Sequence, residues 1–142
     1  MAGQFENPPP HEIRTLLQQI RNIAVLGLSP NPARPSHRVA AALQGFGYRI
    51  LPVRPAVHEI LRERAYPDLR QVPERIDLVD VFRAPEHVDE IVDACIELKL
   101  PALWLQEGVV NEAAARRARR AGMFVVMDRC IYRDYLQLLG SN

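Results

Sequence analysis

Near the start of the chain, the apolar positions Ile13, Leu16, Leu17 and Ile20 recur at intervals of three and four residues. That period puts them on one face of a helix, predicted over residues 11–21, which docks this face inward. The pattern then changes. Residues 22–27 are a short apolar run ending in Gly27, as expected of a strand buried on both faces. Four runs of the same character follow, at residues 48–53, 78–82, 102–105 and 123–127. Helical periods fill the gaps between them. Residues 36–46 carry Val39, Leu43 and Phe46 on one face, and residues 85–100 carry Val88, Ile91, Val92, Cys95 and Ile96. Asn111 is placed to cap a further helix over 112–121, with Gly122 as its stop, and a last helix is predicted over 131–139.

Strand and helix therefore alternate. Strands joined by crossover helices run parallel, so the expected architecture is an α/β fold of the Rossmann type, a doubly wound parallel sheet with helices on both faces. One domain spanning residues 1–142 is expected, its N-terminal helix at roughly 11–21 and its core at roughly 22–139. Two stretches depart from the rhythm. Pro8, Pro9 and Pro10 read as a flexible lead, and residues 56–74 read as a polar, proline-punctuated surface excursion with a short turn at Tyr66, Pro67 and Asp68.

Composition narrows the function classes. Of the 142 residues 48% are apolar, enough for one sizeable core, and a net charge of +1 gives no nucleic-acid footprint. Lys99 is the only lysine, so anion sites here would be built from arginine forks. Nothing approaches the roughly 18 consecutive apolar residues of a membrane span, and a cytoplasmic protein is expected. Cys95 and Cys130 show no disulfide framework and no metal-ligand spacing with the histidines. Cys95 falls on an apolar helix face. Cys130 reads as a small residue packed under the last helix, with thiol exchange at a helix N-terminus as the alternative.

In open parallel sheets ligands bind beyond the carboxyl ends of the strands, so the residues just after each strand carry the chemistry. After the first strand comes Gly27-Leu28-Ser29-Pro30-Asn31-Pro32-Ala33-Arg34-Pro35-Ser36, a loop leading into a helix whose free N–H groups would face an anion. It is not a G-x-G-x-x-G fingerprint. Gly27 is expected to tolerate no side chain because a Cβ would push that anion away. After the second strand stands Arg54, where NAD sites carry an acid; an arginine suits a phosphorylated ribose, in coenzyme A or in NADP. Phe82 and Arg83 follow the third strand, and Gln106, Glu107 and Gly108 the fourth.

Several blocks in order, IAVLGLSPNPARPSHRVA, YRILPVRP, YPDL with VDVFRAPEHVDEIV, LWLQEGVVNEAAARRARRAG and VVMDRCI, make the chain resemble the CoA-binding protein family. That family's domain is similar to the N-terminal CoA-binding domain of the succinyl-CoA synthetase α subunit. The resemblance implies coenzyme A or an acyl-CoA as ligand. It further implies that Gly27, Ser29 and Ser36 line the phosphate turn, and that Val53, Arg54 and Pro55 border the adenosine. Phe82 and Arg83 would flank the nucleotide, with Gln106, Glu107 and Gly108 towards the pantetheine arm. Where Arg54 stands, typical members carry asparagine, followed by proline and often lysine; here Ala56 follows Pro55.

The ligase relatives use a phosphorylated histidine in a second domain that has no counterpart in this sequence, so synthetase activity by this chain alone is not expected. No catalytic constellation and no metal site is read from the residues. His11, His37, His58 and His87 stand without a paired acid at motif spacing, and Arg116, Arg117, Arg119 and Arg120 read as a solvated helix face. Two other readings stay open. One is an NADP-binding or redox-sensing module; the other is a small acyl-CoA-processing enzyme acting through Glu107 or Cys130. A second copy or another protein as partner also stays open, with Trp104 and the alanine-rich helix as candidate surfaces.

Overall fold

The N-terminal helix α1 (Pro10–Gln19) begins on a proline, whose missing N–H costs nothing in a first helical turn. It leads into β1 (Asn22–Leu26), α2 (Pro35–Gly45) and β2 (Arg49–Val53). Next come a ribbon of β3 (Glu59–Ile60) and β4 (Glu63–Arg64), a 3-10 turn at Leu69–Gln71, and β5 (Leu78–Val81). The chain continues through α3 (Val88–Glu97), β6 (Ala102–Leu105), α4 (Glu112–Arg120), β7 (Phe124–Met127) and α5 (Ile131–Leu139). The computed structural model describes residues 5–140; residues 1–4 and 141–142, the two ends of the expected span, lie outside the described residues.

All five strands of the main sheet are parallel, in the order β2-β1-β5-β6-β7. The chain reverses its direction of winding between β1 and β5, and the crevice at such a switch point is where open sheets take ligands. On one face α3 and α4 cover Val79, Val81, Leu103, Leu105 and Val125. On the other, α1, α2 and α5 cover Ile23, Val25, Leu78, Trp104 and Val126. A row of paired residues crosses this second face: Pro52, Val25, Asp80, Trp104 and Val126. Asp80 is its one charged member.

Helix ends follow the sequence closely. The Asn111 side chain accepts from the Ala114 N–H at 3.1 Å, capping α4 as expected. At its other end Gly122 takes φ +100°, and bonds from Gly122 N to Arg119 O and from Met123 N to Ala118 O close the turn. The helix expected over 85–100 instead opens with a 3-10 turn at Pro85–His87 before α3 begins.

Residues 56–74 run over the surface as expected but are anchored there: Ile60, Ala65 and Leu69 are buried, and Tyr66 exchanges backbone hydrogen bonds with Pro52 and Arg54 at the sheet edge. Three expectations are corrected. The lead before α1 is tied down as well. The Asn7 amide donates to Met127 O at 2.9 Å and accepts from Met127 N at 2.7 Å, covering the outer edge of β7. The arginines of α4 are not merely solvated, since Arg117 bonds Asp93 at 2.6 Å and Arg119 lies 4.0 Å from the Phe5 ring centre. Finally, Trp104 is fully buried, its indole N–H donating to Arg129 O at 2.8 Å, and Ala114, Ala115 and Ala118 face the sheet. Neither Trp104 nor those alanines can be a surface for a second copy. Among the described residues, no helix is long and apolar enough to cross a membrane.

Candidate functional site

The loops after β1, β2, β5 and β6 converge at the carboxyl edge of the sheet around a cavity of about 600 Å³. Of the expected residues, Gly27, Ser29, Ser36, Arg54, Phe82, Arg83, Gln106 and Glu107 all line it. Pro55 lies next door, in an adjoining hollow shared with Arg54, Arg83 and His87. Two do not reach the cavity. Val53 is buried in the sheet and offers only its carbonyl, which accepts from Gly27 N at 3.1 Å. Gly108 is not among the lining residues; its N–H donates to Asp128 Oδ1 at 2.8 Å, which fixes the turn after β6.

The first loop is rigid because its own side chains satisfy it. Ser36 Oγ accepts from Ser29 N at 3.0 Å, Ser29 Oγ from Asn31 N at 3.0 Å, and Asn31 Oδ1 from Ala33 N at 2.9 Å. Both hydroxyls keep a proton to donate. The loop ends at the head of α2, which has Pro35 in its first turn, no side-chain cap and no acid, so its positive end stands uncovered beside the cavity.

Gly27 has φ +79°, and an added Cβ would lie 2.2 Å from Phe82 O and 2.9 Å from Arg83 Cδ. The glycine is therefore required by the neighbouring strand end, not only by a ligand, which corrects the expected reason for its intolerance.

Three arginines, Arg34, Arg54 and Arg83, line the cavity, and among the described residues none has a carboxylate partner. Arg54 is anchored weakly, its Nη1 donating to Leu28 O at 3.4 Å, and borders two further hollows besides the main cavity. The one acid lining the cavity, Glu107, is exposed and already held by Arg133 at 2.7 Å. The electrostatic sum is positive, and a polyanion fits it.

Sequence reasoning missed part of the lining. Arg34 and Pro35 stand at the very start of a helix and carry no periodic signal, and Val109 reads as one more apolar residue. Cys130 is a correction: the residue expected beneath the last helix is only half-buried, stands just before the head of α5 without a side-chain bond to it, and lines the cavity. Behind it, α5 is held by a fork from Arg129 to the buried Asp134 at 2.7 and 2.8 Å.

Asp80 lies under the cavity floor with no solvent exposure. Its Oδ1 accepts from Gln106 Nε2 at 2.6 Å, and its Oδ2 has no partner. Burial pushes this carboxyl up to about 7, against a smaller downward pull from the Gln106 hydrogen bond. The strand Leu-Val-Asp-Val lies in a run expected to be buried on both faces, but nothing in the sequence says what the acid would meet there. Among the described residues no cluster of His, Cys, Asp and Glu is arranged for a metal ion.

Comparison with known proteins agrees with this geometry. The chain is 40% identical over 127 residues to the uncharacterized protein YneT of Bacillus subtilis, covering 89% of this chain and 94% of YneT. A hypothetical protein from Pyrococcus horikoshii superposes with a TM-score of 0.91 at 31% identity, over 99% of both chains. An ADP-forming acetate–CoA ligase of Archaeoglobus fulgidus is 29% identical over 73 residues, which cover 51% of this chain and 11% of the ligase. The sequence model of the CoA binding domain matches residues 21–135. With most of its length inside that match, the chain belongs to the CoA binding domain family.

Proposed function

We propose that the protein binds coenzyme A, free or acylated, across the carboxyl edge of its parallel sheet, and that chemistry on the acyl group is supplied by a partner. The observation that carries this reading is the convergence of Arg34, Arg54 and Arg83, all without carboxylate partners, on a cavity that also receives the uncovered head of α2. Coenzyme A brings a pyrophosphate and a ribose phosphate to such a site. An extended ligand is further supported by the hollows that adjoin the cavity at Arg54. No histidine is among the residues lining the cavity, so neither Cys130 nor the serines have the usual base beside them there.

Native mass spectrometry of the purified protein, with coenzyme A, acetyl-CoA or NADPH added in turn, tests the reading. A complex with the two coenzyme A forms and none with NADPH supports it. The reverse pattern supports the NADP alternative, which also uses Arg54.

A further inference from the structure

We propose that Asp80 is a positioning residue that sets which end of the Gln106 amide faces the cavity, so that the cavity offers a hydrogen-bond acceptor to an amide N–H of its ligand. The inference rests on the coenzyme A reading and deepens it, since the pantetheine arm carries secondary amides.

Gln106 is almost completely buried yet lines the cavity. Its Nε2 is committed to Asp80. Its Oε1 makes no hydrogen bond within the protein, and among the described residues Asp80 Oδ2 is the one fully buried side-chain polar atom without a partner. Oε1 is therefore open to the cavity, an acceptor waiting for a donor.

An amide turns end for end at little steric cost, so what fixes it is the group behind it. An ionised Asp80 can only accept, and holds the NH₂ end inward. A protonated Asp80 has one O–H to place, and the reversed amide satisfies it through Oε1, with NH₂ then facing the cavity. The 2.6 Å separation is short for an N–H···O bond and within the range of the O–H···O bond that the reversed amide would make. The site thus changes from acceptor to donor as Asp80 gains its proton.

That proton is exchanged near neutrality, because the carboxyl is pushed up to about 7 by burial. Its neighbours in register are Val25 and Trp104, which carry no charge. The charged and titratable groups on the surrounding elements are Arg34 before α2, Arg54 and Arg83 on the loops, Glu107 with Arg133, and on α5 Cys130 and the Arg129–Asp134 pair. None of them is a cause of the Asp80 shift, which comes from burial and Gln106 alone.

The test has two readouts over pH 5.5–8.5, for the parent and for the isosteric Asp80→Asn. The first follows the side-chain amide signals of Gln106 by NMR without ligand. The second is the calorimetric affinity for coenzyme A, read as the difference between the two proteins, because the ligand's own phosphate also titrates near pH 6. The inference expects a Gln106 transition well above the ordinary carboxylate range, absent in Asp80→Asn. It also expects parent affinity to fall roughly three- to tenfold relative to the variant as pH drops through that transition. A Gln106 amide that does not titrate overturns the inference, even if coenzyme A binds normally, and the proposed function then stands. A titrating amide with an unchanged affinity difference also overturns it. A titrating amide in a protein that binds no coenzyme A at any pH sustains the role of Asp80 and overturns the proposed function instead.

Discussion

The α-carbon of Gly27 faces the carbonyl oxygen of Phe82 so closely that a Cβ built on the glycine would lie 2.2 Å from it. Two strand ends meet there, and the approach is what lets the loops after β1 and β5 share one cavity wall. With φ at +79°, alanine would carry both the clash and a left-handed backbone. Gly27→Ala should lose about 2–4 kcal/mol in urea unfolding, with the cavity edge displaced. A variant within about 0.5 kcal/mol of the parent would show that the two strand ends separate freely.

Asp80 makes stability depend on pH in an unusual direction for a carboxylate. Its folded-state value of about 7 lies above the unfolded value near 3.8. Between these two the folded protein holds a proton that the unfolded chain has released, so stability is greatest below the unfolded value and declines as pH rises through the folded one. The full span is on the order of 4 kcal/mol. Asp80→Asn escapes this cost. Relative to the parent, the variant should gain stability steadily between pH 4.5 and 7.5 in parallel denaturant titrations. A gap between the two proteins that stays constant with pH would show that Asp80 does not titrate in that window.

The two cysteines should part company towards a thiol reagent. Cys130 is half-buried and lines the cavity, whereas Cys95 is sealed on the buried face of α3 and burial pushes its thiol up to about 12. Brief alkylation of the native protein, read by peptide mass, should label Cys130 alone, and coenzyme A should protect it. Labelling of Cys95 at the same rate would mean that the core opens readily; unprotected Cys130 in the presence of bound ligand would move the ligand away from α5.

Much of this architecture was legible in the residues. Ile23 to Leu26, Leu78 to Val81 and Ala102 to Leu105 announce themselves as strands because both faces of the sheet are covered. The ribbon of β3 and β4 escaped notice for a local reason. Its turn is made by Leu61 and Arg62, both at positive φ, where a sequence reading looks for asparagine or glycine. Gln106 was legible by its place after a strand, but its partner was not. That the Gln106 amide reaches Asp80 depends on how the β5 and β6 ends sit side by side, which no local pattern records. Arg34 and Cys130 are separated by almost a hundred residues and meet only because α2 and α5 start at the same edge of the sheet.

Arg54 should separate coenzyme A from its dephosphorylated form. The arginine follows β2, lines the cavity and is free of any acid among the described residues. A charge-assisted bond to the ribose phosphate contributes on the order of 1.5–3 kcal/mol, less where water reaches it. At fixed ionic strength, Arg54→Ala should lose roughly tenfold or more for coenzyme A while binding dephospho-CoA nearly as before. Equal losses for both ligands would place Arg54 at the pyrophosphate instead.

Isothermal titration of the intact protein shows whether this cavity takes coenzyme A. Coenzyme A and acetyl-CoA, NADPH and NADH are each titrated into the parent and into Arg83→Ala, whose guanidinium lines the cavity without an acid partner among the described residues. Saturable heat at one site per chain is expected for the two coenzyme A forms, weakened by the substitution, with none for the nicotinamide dinucleotides. Saturable binding of NADPH with no heat from either coenzyme A form would contradict this expectation.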